Sequence, residues 1–399
     1  MKPLHGLRVL DLTTVLMGPY AGQILGDFGA DVVKIESREG DVVRQIGPKR
    51  HDQMGPLFLN SNRSKRSIVL NLKSDKGRDT FLKLVEEADV LVTNIRPKAM
   101  ERLGLSEDTL TQANPRLIYT ALVGYDQTGP YADRPAYDDL IQGGACLAHS
   151  FTRTGARPAY VPTAIADRVV GVAAVNAILA AVIERERSGL GQRVEVPMFE
   201  TMVSIVLADH MGGLTFEPPL DQGGYPRHLS PDRRPYQTKD GYICALVYND
   251  GHWKRFFEAI GRPDMPSADP RFTSFSSRMD HIDEVYAELS EILLTRTTEE
   301  WLALFFEADI PAMPMHSFAS VMTDPHLVST GFFETVLHPT EGMIRTMAVP
   351  AKFSRTPAAM SRLPPLLGEH GAEVLSEVGF DANAIAELVS NGALFISEE

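Results

Sequence analysis

The sequence predicts an α/β protein: a parallel sheet with helices on both faces, accompanied by a smaller α+β lobe. Strand-period and helix-period segments alternate through the first 123 residues, the order that βαβ units require. The 399-residue length exceeds what one hydrophobic core usually serves, so two lobes are expected. Composition also changes after Met211, where glycines and prolines punctuate about two dozen residues.

Leu7 to Leu12 reads as a strand, Gly18-Pro19 opens a helical stretch to Asp27, and Ala30 to Glu36 reads as a second strand. A helix follows at Lys76 to Ala88, then a strand at Val90 to Asn94, a helical turn at Met100 to Leu103 and a strand at Leu117 to Val123. Ala164 to Ile183 is almost wholly apolar, so that helix is expected to be enclosed on all sides. Asp167 and Arg168 interrupt its start, which argues against a bilayer span. Gln192 to Pro197 gives a strand and Phe199 to His210 a helix.

The first part of a large domain is therefore assigned to residues 1–210, a linker to 211–235, the small α+β domain to 236–322 and a return to the large domain to 323–399. Tyr236 to Tyr248 reads as a hairpin turning at Lys239-Asp240-Gly241. Helices are expected at 251–260, 280–294 and 298–307, a strand at Met343 to Val349 before Pro350, and an acidic amphipathic helix at Asp381 to Leu388.

A net charge of −13 argues against nucleic acid or an anionic membrane as partner. From Lys34 to Arg102, however, 15 Lys/Arg stand against 10 Asp/Glu, a local sign that suits a small polyanion. The two cysteines, Cys146 and Cys244, have apolar neighbours and read as buried thiols rather than a disulfide or thiolate metal site. The histidines lack zinc spacing and no Gly-x-Ser-x-Gly elbow occurs, so neither metal nor serine hydrolase chemistry is expected. With no apolar leader and no uninterrupted membrane-length segment, a soluble cytoplasmic protein is expected.

Glu36 stands where a dinucleotide-binding fold places its ribose carboxylate, but Gly18, Gly22, Gly26 and Gly29 step along one helix face rather than forming a phosphate fingerprint. Close packing is the better account of them. Arg38, Arg44, Arg63, Lys65, Arg66, Lys73, Arg96 and Arg102 read equally as a phosphate-holding cluster or a solvated face. The loop from Gly124 to Asp138 follows a strand end, where α/β folds place ligands, and offers Tyr137 and Asp138 as site candidates. Asp167, in the first turn of the apolar helix, is the candidate nucleophile, ionised and near donors.

Several motifs together resemble one family. They are Leu4 to Thr13, Gly29 to Glu36, Gly40 to Arg44, Asn62 to Ile68, Ala88 to Asn94, the Gly124 to Asp138 loop, Gly189 to Gln192, Asp324-Pro325 and Leu367 to His370. The chain resembles the class III CoA-transferases over essentially its whole length. The resemblance implies an interlocked homodimer in which each chain has a large Rossmann-like lobe and a smaller one. It implies that Asp167 attacks an acyl-CoA thioester to give an aspartyl mixed anhydride and CoA thiolate. The acceptor acid then forms its own anhydride on Asp167, which the thiolate cleaves.

By the same resemblance Val15, Arg38, Leu70, Lys73, Asn94, Ile95 and Arg102 contact CoA, with Tyr137 and Asp138 beside them. Gly223 and Gly224 are the candidate loop whose N–H groups meet the oxyanions. Tyr125, Tyr137 and His149 are candidates for the acyl pocket border. CoA and its thioesters enter as substrates, with no permanently bound cofactor and no metal. Leu16 stands where formyl-CoA transferases carry glutamine, and Arg38 lies one position later than their arginine, so oxalate and formyl-CoA are not the expected substrates. Succinyl-CoA is a reasonable donor. The rival readings are an α-methylacyl-CoA racemase, disfavoured because Tyr137 replaces its histidine, a non-catalytic CoA-binding subunit, and a nicotinamide dehydrogenase lacking its fingerprint.

Overall fold

A computed structural model describes residues 1–396. The chain forms two compact units. One comprises residues 1–145, 161–203 and the chain from Pro325 onward, and the other comprises Cys146–Tyr160 and Ser204–Asp324.

The first unit is built on a seven-stranded sheet: β1 (Arg8–Leu12), β2 (Asp31–Glu36), β3 (Lys65–Leu70), β4 (Val90–Thr93), β5 (Ile118–Val123), β6 (Gln192–Pro197) and the two-residue β12 (Leu394–Phe395). Their order is β12-β3-β2-β1-β4-β5-β6, and every pairing is parallel except that of β12 with β3. The order reverses beside β1, so the loops after β1 and β4 diverge and leave a crevice at the carboxyl ends of the strands. Strands buried on both faces read as apolar runs, as Val9, Leu10, Val90, Leu91 and Val92 do.

β3 is the strand that local pattern does not disclose. It opens on Lys65-Arg66-Ser67, yet all six residues are buried. Each polar side chain finds a distant partner: Lys65 pairs with Asp11 at 2.7 Å, Arg66 with Asp31 at 2.6 Å, and Ser67 donates to Glu36 at 2.8 Å. Helix α1 (Met17–Asp27) follows β1 and α2 (Asp75–Glu86) follows β3, the latter capped by Ser74. α3 (Pro97–Arg102) follows β4, and α4 (Asp138–Gly144) follows the loop after β5. The glycine face of α1 is a packing device, because a Cβ at Gly26 would lie 2.4 Å from the Ser64 carbonyl and one at Gly22 2.8 Å from Asp11.

Helix α5 (Ile165–Ser188) runs 24 residues, is closed by Gly189 in the left-handed region, and crosses α1 closely at Gly171. It corrects two expectations. It is long and apolar enough to cross a membrane by length and composition. It is also not enclosed on all sides: Ala166, Val170, Ala174 and Ile178 face the core, whereas Val172 and Ile183 are 43% and 56% exposed. α6 (Met198–His210) follows β6 directly.

The second unit holds a three-stranded antiparallel sheet of β7 (Tyr236–Gln237), β8 (Tyr242–Ala245) and β9 (Ala312–Pro314), the first two forming the expected hairpin. α7 (Asp250–Ala259), α8 (Ile282–Leu293) and α9 (Thr298–Glu307) surround an aromatic core of Trp253, Phe256, Phe257, Phe272, Trp301 and Phe305. A capping box between Thr297 and Glu300 starts α9. Back in the first unit, β10 (Phe333–His338) and β11 (Gly342–Met347) form a hairpin, followed by α10 (Gly371–Glu377) and α11 (Ala382–Ser390). The cysteines are not buried thiols as expected: Cys146 is exposed and Cys244 half-buried.

Candidate active site

Asp167 occupies the third position of α5, whose N-cap residue, Ala164, has no side chain able to cap. The cap comes from α4. Asp138 Oδ1 accepts the Asp167 backbone N–H at 2.9 Å, and its Oδ2 accepts from Gln142 at 2.6 Å. Gln142, fully buried, accepts in turn from the Val161 N–H at 2.8 Å. Two residues of one helix thus hold the start of another, which fixes where the Asp167 side chain projects.

No donor reaches the Asp167 carboxylate among the described residues, contrary to the expectation of nearby donors. Burial, then the negative charge of Asp138, pushes its pKa up to about 6, and Arg168 opposes this only in part. Arg168 is turned away, donating to Ser61 at 3.1 Å and lying over the Tyr20 ring. A half-buried carboxylate without an ion pair is a better nucleophile than one neutralised by a cation, and a pKa near 6 leaves it mostly ionised at neutral pH.

The carboxylate lines a cavity of about 220 Å³ in the crevice at the strand ends. Thr14 and Val15 after β1, Asn94 and Arg96 after β4, and Gly124, Arg134, Ala136 and Tyr137 after β5 contribute to its wall. Gly124 permits the loop to fold back, since a Cβ there would lie 2.3 Å from that of Ala136. Val15 sits at φ 71°, a strained left-handed conformation for a β-branched residue. Arg96 and Arg134 face the same space with no acidic partner among the described residues, and Arg134 stacks 3.8 Å over Tyr131.

The structure therefore brings Val15, Asn94, Tyr137 and Asp167 around one cavity, with Asp138 joined to it through the Asp167 backbone. Arg38, Leu70, Lys73, Ile95 and Arg102 lie outside that lining. Arg38, Lys73 and Arg102 are exposed, Arg38 within 5.4 Å of the Phe395 ring and Arg102 donating to the Lys98 carbonyl, while Leu70 is buried. Arg96, read from sequence within the basic cluster, and Arg134, within the Gly124–Asp138 loop, join the cavity although neither was singled out as a site residue.

Other candidates are spent on the fold. Arg44 pairs with Glu36 at 2.8 Å, Arg63 with Asp27 at 2.9 Å, and Lys65 and Arg66 with the acids named above, all buried, so for these four both the phosphate-holding and the solvated-face readings are corrected. Glu36, held by Arg44 and Ser67, has no free oxygen for a ribose. In the second unit Gly223 and Gly224 have positive φ, but their N–H groups donate internally, to Asp221 Oδ1 and the His210 carbonyl at 2.7 Å each. His149 is exposed there and hydrogen-bonded to Thr152. Tyr125 packs edge-on against Tyr131 and Phe199 and is not among the cavity-lining residues.

The crevice sets a carboxyl without an ion pair beside Arg96 and Arg134, and comparison with known proteins gives the class. CoA-transferase family III matches residues 4–371. An acyl-CoA transferase of Fusarium pseudograminearum is 34% identical over 98% of this chain and 88% of its own length. A succinate–glutarate CoA-transferase of Agrobacterium fabrum is 33% identical over 94% of this chain and 96% of its own. The crystal structure of Rv3272 from Mycobacterium tuberculosis superposes with a TM-score of 0.80 at 32% identity, covering 93% of this chain and 98% of that one. The chain belongs to CoA-transferase family III, and it is an enzyme that transfers CoA.

Proposed function

We propose that the protein moves CoA from an acyl-CoA donor to a small carboxylic acid through anhydrides on Asp167. A carboxylate oxygen of Asp167 attacks the thioester carbonyl, the C–S bond breaks, and CoA leaves as thiolate. The acceptor carboxylate attacks Cγ of Asp167 and expels the donor acid, forming its own anhydride. The thiolate attacks the acceptor's acyl carbon, yielding the new thioester and restoring Asp167. Bonds and charge balance without a cofactor, and only CoA changes owner.

The observation that carries this reading is the unpaired, half-buried Asp167 carboxyl in a cavity at the strand-end crevice. A cavity of about 220 Å³ suits the reacting acyl group rather than all of CoA. Arg38 and Lys73, exposed just after β2 and β3, share the carboxyl edge of the sheet with it and suit the phosphates of the nucleotide end. Leu70, Asn94, Ile95 and Arg102 complete the proposed CoA contacts. Gly223 and Gly224 serve the oxyanions only if their internal hydrogen bonds are exchanged for the substrate. Succinyl-CoA is the proposed first donor, supported by the succinate–glutarate relative. Exposed Val172 and Ile183 on the largely apolar α5 support a covering partner, proposed to be a second copy in an interlocked homodimer, and a cytoplasmic location is proposed with it.

The test mixes the protein with succinyl-CoA or acetyl-CoA and a panel of carboxylic acids, and reads new thioesters by mass spectrometry beside Asp167→Ala. A new thioester absent from the variant supports the reading. Exchange of an α proton with no CoA transfer would move the assignment to a racemase.

A further inference from the structure

The three-residue turn Thr13–Val15, which forms one wall of the Asp167 cavity, is held entirely by side chains. Thr13 N–H donates to Asp11 Oδ1 at 3.1 Å, and the Thr13 carbonyl accepts from Lys34 Nζ at 2.8 Å. Thr14 N–H donates to Asn94 Oδ1 at 3.0 Å, while Asn94 Nδ2 donates to the Thr14 carbonyl at 2.9 Å. Val15 N–H donates to Asp41 Oδ1 at 3.0 Å. Five consecutive main-chain groups are thus fixed by four side chains reaching in from β1, β2 and the loops after β2 and β4.

Behind the turn lies a buried charge network. Lys34 and Asp41 form a 3.0 Å ion pair with both side chains fully inaccessible, and Lys65 and Asp11 form another at 2.7 Å. Asp41 N–H donates to Glu36, which is paired with Arg44. Buried ion pairs are poor stabilisers compared with apolar packing, because desolvation offsets their attraction. Both pairs nonetheless reach the turn, Asp11 and Lys34 at Thr13 and Asp41 at Val15, whose φ of 71° runs against the steric preference of a β-branched residue.

We propose that Lys34 and Asp41 are positioning residues of the CoA site: their buried pair locks the Thr13–Val15 turn in its left-handed form and so preforms the wall that receives the thioester. This rests on the CoA-transferase reading above. Neither side chain lines the cavity, so both act through the backbone they hold.

The test is a double-mutant cycle of Asp41→Ala with Val15→Gly, read as the equilibrium affinity for CoA by calorimetry and as kcat and KM for the acyl-CoA. Glycine adopts positive φ without strain, so it no longer needs the clamp. Asp41→Ala is expected to weaken CoA binding and raise KM roughly tenfold, with a smaller change in kcat. In the Val15→Gly background the same substitution is expected to cost less than about threefold. Asp41→Asn, which keeps an oxygen for the Val15 N–H but loses the charge paired with Lys34, is expected to recover only part of the affinity.

An equal loss in both backgrounds, or no loss from Asp41→Ala, overturns the assignment. Should Asp41→Ala fail to fold, the cycle is run with Asp41→Asn, which removes the charge paired with Lys34 while keeping the side chain's volume, and the same coupling decides. Wild-type protein that binds no CoA overturns the transferase reading and this assignment with it, whereas CoA binding without coupling overturns the assignment alone.

Discussion

Asp167 is a carboxyl group whose surroundings disfavour its charge, and that has consequences in both activity and stability. Attack on a thioester needs the ionised form, so kcat/KM should rise with pH through a limb near pH 6. Asp138→Asn removes the negative neighbour and should move that limb to lower pH while weakening the cap on α5, as a pH-rate series on both proteins would show. The sign for stability follows from the folded pKa lying above its ordinary 3.8. The folded state favours the protonated acid, a contribution fully present below pH 4 and lost as pH rises through 6. Asp167→Asn should therefore melt higher than the wild type at pH 8, by at most about 3 kcal/mol, with the gain vanishing below about pH 4. Thermal melts at the two pH values check this. The proposed nucleophile was legible as a first-turn acid before an apolar run, but its cap was not. Asp138 and Gln142 reach it from a separate helix, and no local pattern encodes that contact.

At the scale of the element, the strands that paired as expected are those whose residues are apolar on both faces, such as Val90–Thr93 and Ile118–Val123. β3 escaped because its burial is satisfied by charge pairs with Asp11 and Asp31, which lie 54 and 35 residues away in sequence. β10 escaped too, although its hairpin partner β11 was read from Met343 to Val349. The glycine ladder of α1 was legible as packing, yet its partners, the Ser64 carbonyl and the Asp11 and Lys65 side chains, emerged only with the fold. That contact is testable. Gly26→Ala places a Cβ against a main-chain oxygen that cannot rotate away, so it should destabilise the protein by about 1–3 kcal/mol in urea unfolding, with the m-value unchanged.

At the scale of the whole molecule, α5 explains why an apolar run was read as fully enclosed. Its composition demands a covered surface, and one chain covers only part of it. A second copy is the proposed cover. Sedimentation equilibrium should give twice the 43.9 kDa chain mass, and Ile183→Glu should shift the population toward monomer with loss of activity. The proposed covalent role of Asp167 in CoA transfer underlies each of the activity outcomes. It is tested most directly by incubating the protein with an acyl-CoA, quenching with hydroxylamine and locating the modified peptide by mass spectrometry. A hydroxamate on Asp167, with free CoA released alongside it, is the expected result. Turnover to a new thioester with Asp167 unmodified, or undiminished turnover by Asp167→Ala, would contradict it.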